Sequence, residues 1–239
     1  MRHLFLRIGV MFIAGLHLTE PASRRRLTRL SRDRMMAQLT RQNQSLNILE
    51  KLRAGTDRLH LEVERDLDLL RPGLGLEEYT QLLERFYGFY IVCEPPVNRS
   101  LGQIPGLDLH LRAKIPFLTE DLVYLGHELT SLARLPRCVD LPALRSPAMA
   151  LGWLYVTEGS TLGGRLLARH FQKTLGLRPG GGATFFSSYG DELASMWNRF
   201  RSVLLEKTDA DNEADILCGA IQTFECMHTW LCSQKAAFA

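Results

Sequence analysis

Gly152-Trp153-Leu154-Tyr155-Val156-Thr157-Glu158-Gly159-Ser160-Thr161-Leu162-Gly163-Gly164-Arg165 reads as helix interior, yet three of the six positions from Gly159 to Gly164 are glycine. Upstream, Ser146 suits an N-cap and Pro147 the first turn, while Gly176 suits a C-cap, so the spacing predicts one long helix from Ser146 to about Leu175. Each interior glycine costs roughly 1 kcal/mol relative to alanine, about 3 kcal/mol for the three, so the bare backbone must serve something other than helix formation. Gly159 and Gly163 stand at i and i+4 and leave a groove without side chains, which Gly164 widens. Two uses suit such a groove: close packing of another helix, or a flat ligand with space above it for a small gas molecule.

The rest of the chain follows the same period. Leu46, Leu49, Leu52, Leu59, Val63, Leu67 and Leu70 recur at helical spacing, which predicts a helix from an N-cap at Ser45 to Leu70, ended by Arg71-Pro72-Gly73. A second helix is expected over Glu77 to Cys93, with Pro95-Pro96 as its stop. Between Leu101 and Pro142 frequent prolines and glycines predict short helices, one near Thr119 to Gly126. After the Gly180-Gly181-Gly182 turn come two more, about Asp191 to Lys207 and Asn212 to Gln234. Alternation at period two is hard to find and no internal repeat is visible. The expected fold is therefore all-α, a single domain of six to eight helices.

With 239 residues, 46% hydrophobic and 23% charged, the chain has the balance of one medium-sized globular domain. Five cysteines without a C-x-x-C pair indicate neither a disulfide framework nor a zinc site, and fit a reducing cytoplasm. Residues 1–35 stand apart: an apolar stretch from Leu4 to Leu18, broken by Arg7 and His17, precedes a run rich in arginine. The stretch is short of the roughly 20 apolar residues that span a bilayer, and its charge follows the apolar part instead of preceding it as in a signal peptide. Residues 1–40 are thus expected to be a basic, disordered N-terminal extension, or to precede a true start near Met35 or Met36, with the domain over 41–239. Residues 1–35 hold eight arginines against two acids, so the formal charge of +3 becomes −3 for the remainder. No nucleic-acid surface and no membrane association is expected of the domain.

Thr56, His60 and Glu64 lie at i, i+4 and i+8 on one face of the first helix. A helix can present one imidazole to a cavity in this way, while the carboxylate one turn on accepts a hydrogen bond from the second ring nitrogen and strengthens the first as a metal ligand. An exposed His-Glu helix pair has the same spacing, and the residues alone leave both readings open.

Taken together, the two helices resemble the haem oxygenase family, and in particular its bacterial biliverdin-producing branch associated with bacteriophytochromes. The run Leu52-Arg53-Ala54-Gly55-Thr56-Asp57-Arg58-Leu59-His60 is similar to that family's proximal helix, Glu64 matches the acid behind the proximal histidine, and the run from Tyr155 to Gly164 is similar to the distal helix. The resemblance implies haem held between the proximal helix and a kinked distal helix, with His60 on the iron and Arg53, Thr56, Glu64, Tyr155, Arg199 and Arg201 around the macrocycle. It places Gly159, Ser160, Gly163 and Gly164 at the oxygen face. One position departs from the wider family, which often has an aspartate where Ser160 stands; a serine donates and accepts hydrogen bonds but carries no charge. The activity implied is cleavage of haem by O2 to biliverdin, carbon monoxide and ferrous iron in a cytoplasmic monomer. No dinucleotide fingerprint is visible, so a ferredoxin or reductase is expected as external electron donor and a bacteriophytochrome as bilin acceptor. Two other expectations compete: a non-catalytic haem-binding or haem-sensing protein, and a thiaminase-like helical enzyme, for which no cysteine has an evident activating context.

Overall fold

The computed structural model describes residues 46–232, which form helices joined by turns and loops, with no strand among them. Eight helices follow in order: α1 (Ile48–Leu67), α2 (Leu76–Leu101), α3 (Leu109–Arg112), α4 (Ile115–Tyr124), α5 (Pro147–Leu175), α6 (Thr184–Ser187), α7 (Leu193–Lys207) and α8 (Glu213–Cys232). Short 3-10 turns occupy Leu129–Arg134 and Gly190–Glu192. The all-α architecture is as expected. The expected extension over residues 1–40, the Ser45 cap and the Gln234 end lie outside the described residues.

Three boundaries differ from the sequence reading. Helix α1 stops at Leu67, because Asp68 takes a left-handed φ of 41°. Helix α4 begins four residues before Thr119, with Pro116 in its first turn. The largest difference is α2, which runs through Pro95 and Pro96 to Leu101. A proline inside a helix costs about 3 kcal/mol through its missing N–H and its ring. Here Cys93, Val97 and Leu101, each four residues apart, stay buried in the core, and their burial outweighs that cost.

Helix α5 begins and ends as its caps predict. The Ser146 hydroxyl accepts the Met149 N–H at 3.2 Å, and Gly176 takes a φ of +73° that favours glycine. Its first half meets α8 at backbone contact: a Cβ on Gly152 would lie 2.0 Å from the Ile216 carbonyl oxygen, and one on Gly219 2.2 Å from that of Met149. Helix α1 lies along α8 in the same direction, since Lys51 pairs with Glu213 at 2.8 Å, Gly55 packs on Leu217, His60 meets Phe224, and Asp66 meets His228 at 2.8 Å. Ser146 near the start of α5 bonds Asp215 near the start of α8 at 2.7 Å. Helices α1 and α8 thus ascend together, and α5 meets α8 closely through Gly152 and Gly219.

Behind α5 an aromatic cluster of Tyr79, Phe86, Phe171, Phe185 and Phe186 fills the core. The buried Asp121 carboxylate holds the start of α6 against it, accepting the N–H groups of Thr184 at 2.8 Å and Phe185 at 2.7 Å. Asp121→Ala leaves both donors buried and unpaired, and should lower stability by about 2–4 kcal/mol in urea denaturation. Asp121→Asn, which keeps an acceptor, should cost less.

Candidate functional site

Helices α1 and α5 meet where Thr56 approaches Tyr155. Thr56 is buried, its hydroxyl donating to the Leu52 carbonyl at 2.7 Å. Burial pushes the Tyr155 phenol up, partly offset by Arg53 and by a hydrogen bond with Thr56. His60 stands one turn past that contact on α1. Its side chain is 53% exposed, its Nδ1 lies 3.6 Å from Glu64 Oε1, and its ring edge packs on Phe224 at 5.9 Å. At 3.6 Å the Glu64 contact is an ion-pair distance and becomes a hydrogen bond only after a small side-chain rotation. The Nε2 atom has no hydrogen-bond partner among the described residues.

Gly159 stands one turn past the contact on α5. A Cβ there would meet Trp197 of α7 at 3.9 Å, and one on Gly163 would meet nothing within 4 Å. Gly164 differs: a Cβ would come within 2.7 Å of the Phe186 carbonyl oxygen, so this glycine lets α6 pack on α5. To the place at the oxygen face expected from sequence the structure adds a packing role for Gly164. Gly163→Ala should therefore raise the stability of the haem-free protein by up to about 1 kcal/mol, whereas Gly164→Ala should lower it. Thermal melts of the two variants side by side test this.

Ser160 lies between faces. It is about 60° round the helix from Gly163 on one side and from Thr157 on the other, and its hydroxyl donates to the Thr157 carbonyl at 2.8 Å. The basic residues are dispersed. Arg53 is exposed near Tyr155, whereas Arg199 reaches Asp108 at 3.6 Å and the Met196 sulfur at 2.9 Å. Arg201, two positions on, points about 200° away and is half-buried, so the two arginines of α7 do not form one cluster.

A buried polar cluster beside Gly159 escaped the sequence reading. The Glu158 carboxylate receives Arg112 Nη1, Lys114 Nζ at 3.3 Å and the Tyr189 hydroxyl at 2.6 Å, and both cations are 2% exposed. Arg112 Nη2 also donates to the Met196 carbonyl at 3.1 Å, tying α7 to the cluster. Burial pushes the Lys114 ammonium down and the Tyr189 phenol up. The signal was available in part: Leu151, Leu154, Glu158 and Thr161 fall on one helical stripe, which places a carboxylate on a buried face and demands cations. Which cations could not be read, because they come from about 45 residues away.

A half-exposed imidazole whose Nε2 has no partner among the described residues, and helix backbone lacking side chains, each one turn past the Thr56–Tyr155 contact, are a ligand and a surface of the kinds that haem would need.

The Heme oxygenase family model matches residues 46–233. A heme oxygenase of Xanthomonas campestris is 33% identical over 160 residues, 66% of this chain and 91% of that protein. Heme oxygenase PigA of Pseudomonas aeruginosa is 31% identical over 72% of this chain and 83% of its own length. Among solved structures, the NO- and CO-bound heme oxygenase of Neisseria meningitidis superposes with a TM-score of 0.67 at 26% identity, covering 82% of this chain and 96% of the other. Heme oxygenase-1 of the cyanobacterium Synechocystis, solved in complex with heme, gives 0.65 at 19% identity over 80% and 94% of the two chains, a likeness of fold.

Proposed function

Since the chain belongs to the haem oxygenase family, we propose that it cleaves haem with O2 and external electrons to biliverdin, carbon monoxide and ferrous iron, with His60 as the proximal ligand. The observation that supports this reading is the pairing of a half-exposed imidazole with bare helix backbone, each one turn past the Thr56–Tyr155 contact on its own helix. Haem is the substrate and supplies the redox chemistry; the protein supplies a ligand, an orientation and protons. Neutral His60 binds through Nε2, and Glu64, rotating to accept from Nδ1, fixes the tautomer and makes Nε2 the stronger donor. Gly159 and Gly163 leave space at the oxygen face and thereby limit where the ring can lie. Ser160 supplies the hydroxyl nearest that face. Arg53, close to Tyr155, is placed to meet a propionate, a role the dispersal of Arg199 and Arg201 favours less.

No helix among the described residues is long and apolar enough to cross a membrane. A cytoplasmic monomer reduced by a ferredoxin or a reductase, with a bacteriophytochrome as bilin acceptor, completes the proposal. Incubation of the purified protein with haem and ascorbate, followed by chromatography of the pigment, tests it. Loss of the Soret band with appearance of biliverdin supports an enzyme; a persistent haem spectrum without pigment means a haem binder and overturns the proposal. Gly163→Ala should reduce biliverdin formation and perturb carbon monoxide binding to the ferrous complex, despite its gain in apoprotein stability.

A further inference from the structure

We propose that Cys138 and Cys226 form a reversible dithiol site, which closes to a disulfide by exchange with a small disulfide and bonds α8 to the connection between α4 and α5. Cys226 lies two positions past Phe224, about 200° round α8 from the contact with His60, so the site is separate from the haem face and its chemistry does not depend on haem cleavage.

The two sulfurs stand 3.6 Å apart although the residues are 88 positions apart, so no spacing in the sequence announces the pair. Both are free thiols. A disulfide needs a separation of roughly 2.05 Å, and the remaining approach of about 1.5 Å is within the arc that rotation about Cα–Cβ gives a sulfur atom. The backbone therefore needs to shift little.

Both partners are already held against the same stretch of α2. Cys138 lies in irregular chain after the Leu129–Arg134 turn, and its N–H donates to the Gly88 carbonyl at 3.1 Å. Two residues earlier, the Pro136 carbonyl oxygen comes so close to α2 that a Cβ on Gly88 would stand 2.2 Å from it. From the other side Trp230, one turn past Cys226 on α8, donates its Nε1–H to the Arg85 carbonyl at 2.7 Å, and its ring would meet the same Gly88 Cβ at 2.9 Å. The absence of a side chain at Gly88 thus lets the connection and α8 converge there. The Cys226 thiol also reaches the Asp140 carbonyl at 3.6 Å, so it touches the connection on both sides of Val139.

Access is unequal. Cys138 is buried and Cys226 half-buried, while Val139 beside them is 85% exposed, so the pair lies just beneath the surface with Cys226 as the sulfur that a small molecule meets first. Burial, and then Cys138, push the Cys226 thiol up to about 12. The thiolate is the nucleophile, so the pair rests as thiols in a reducing medium and exchanges slowly at neutral pH.

In the exchange the Cys226 thiolate attacks one sulfur of the small disulfide. A mixed disulfide forms, the small S–S bond breaks and one small thiolate leaves. The Cys138 thiolate then attacks Cys226 Sγ, which makes the Cys138–Cys226 bond and releases the second small thiolate. The two cysteine protons pass through solvent to the two leaving thiolates, and two electrons have moved from the protein to the small disulfide. Closing so long a loop removes conformational freedom from the unfolded chain, and it pins the helix whose Phe224 backs His60.

The test uses the full chain without haem, incubated below its melting transition with oxidised glutathione at mildly alkaline pH. Free thiols are then alkylated, the protein is digested, and joined peptides are identified by mass spectrometry. The expected product joins the peptides of Cys138 and Cys226. Its melting temperature should be raised by roughly 5–10 °C and should return to the starting value with dithiothreitol. Cys226→Ala should gain neither the bond nor the shift, and if that variant does not fold the peptide map of the wild type decides. Thiols that stay unreacted, glutathione retained on Cys226 without a joined peptide, or bonds made mainly through Cys93 or Cys218 overturn the site. A Cys138–Cys226 bond that leaves the melting temperature unchanged or lowers it overturns the fit of the site to the folded backbone, and with it the proposal.

Discussion

His60→Ala should abolish biliverdin formation while leaving the helical fold and its melting temperature nearly unchanged. The ring is half-exposed, makes one edge contact to Phe224 and sits 3.6 Å from an exposed carboxylate, so its removal forms no core cavity. Surface substitutions of this kind usually change stability by less than about 0.5 kcal/mol. The loss of function has a separate cause: the proposed ligand is gone, and two other described histidines are held elsewhere, His127 by Glu84 at 2.9 Å and His228 by Asp66 at 2.8 Å. Added imidazole should partly restore turnover, because the substitution leaves a ligand-sized space beside the iron position. Glu64→Gln makes the complementary case. It should retain haem but weaken the iron-to-histidine bond, read as a lower stretching frequency in the resonance Raman spectrum of the ferrous form. Normal turnover in His60→Ala would remove the proximal assignment.

The long helices were legible because their signals are local. Ser146, Pro147 and Gly176 bound α5 as their chemistry predicts, and of the leucine stripe of α1 Leu52 and Leu67 are buried while Leu49, Leu59 and Val63 are partly so, with Ile48 and Thr56 completing the buried face. Pro95-Pro96 misled for the opposite reason: a local stop signal was overridden by burial of Val97 and Leu101 against distant parts of the chain. The glycines show the same division. Their cost to the helix is visible in sequence, but only the position of the Phe186 carbonyl distinguishes Gly164, which lets α6 approach, from Gly163, which has open space. For the candidate site, the His60–Glu64 spacing was readable within one helix. The partners of Glu158 were not, because Arg112, Lys114 and Tyr189 reach it through tertiary structure that no period in the sequence encodes.

That cluster should carry the largest stability effect in the molecule. Glu158→Gln keeps the shape of the side chain but takes from Arg112 and Lys114, each 2% exposed, the carboxylate they share, leaving the pull of Glu94 on Lys114. Removing one partner from a buried ion pair costs about 3–5 kcal/mol, because the remaining charge has no water to return to. Arg112 cannot give up its proton, whereas Lys114 can, and burial already pushes its ammonium down in the native protein. In the variant the pull of Glu158 that opposes this is gone, so Lys114 falls further. The sign of the pH dependence follows. Between the depressed folded value and the ordinary lysine value the unfolded chain holds more protons than the folded one, so stability rises with pH. The deficit of Glu158→Gln relative to wild type should therefore be greatest near neutral pH, shrink as pH approaches the ordinary lysine range, and leave a residue due to Arg112. Urea denaturation of both proteins across that range measures it. A deficit independent of pH would mean that Lys114 stays charged in the variant, and a loss below about 1 kcal/mol would mean that water reaches the cluster.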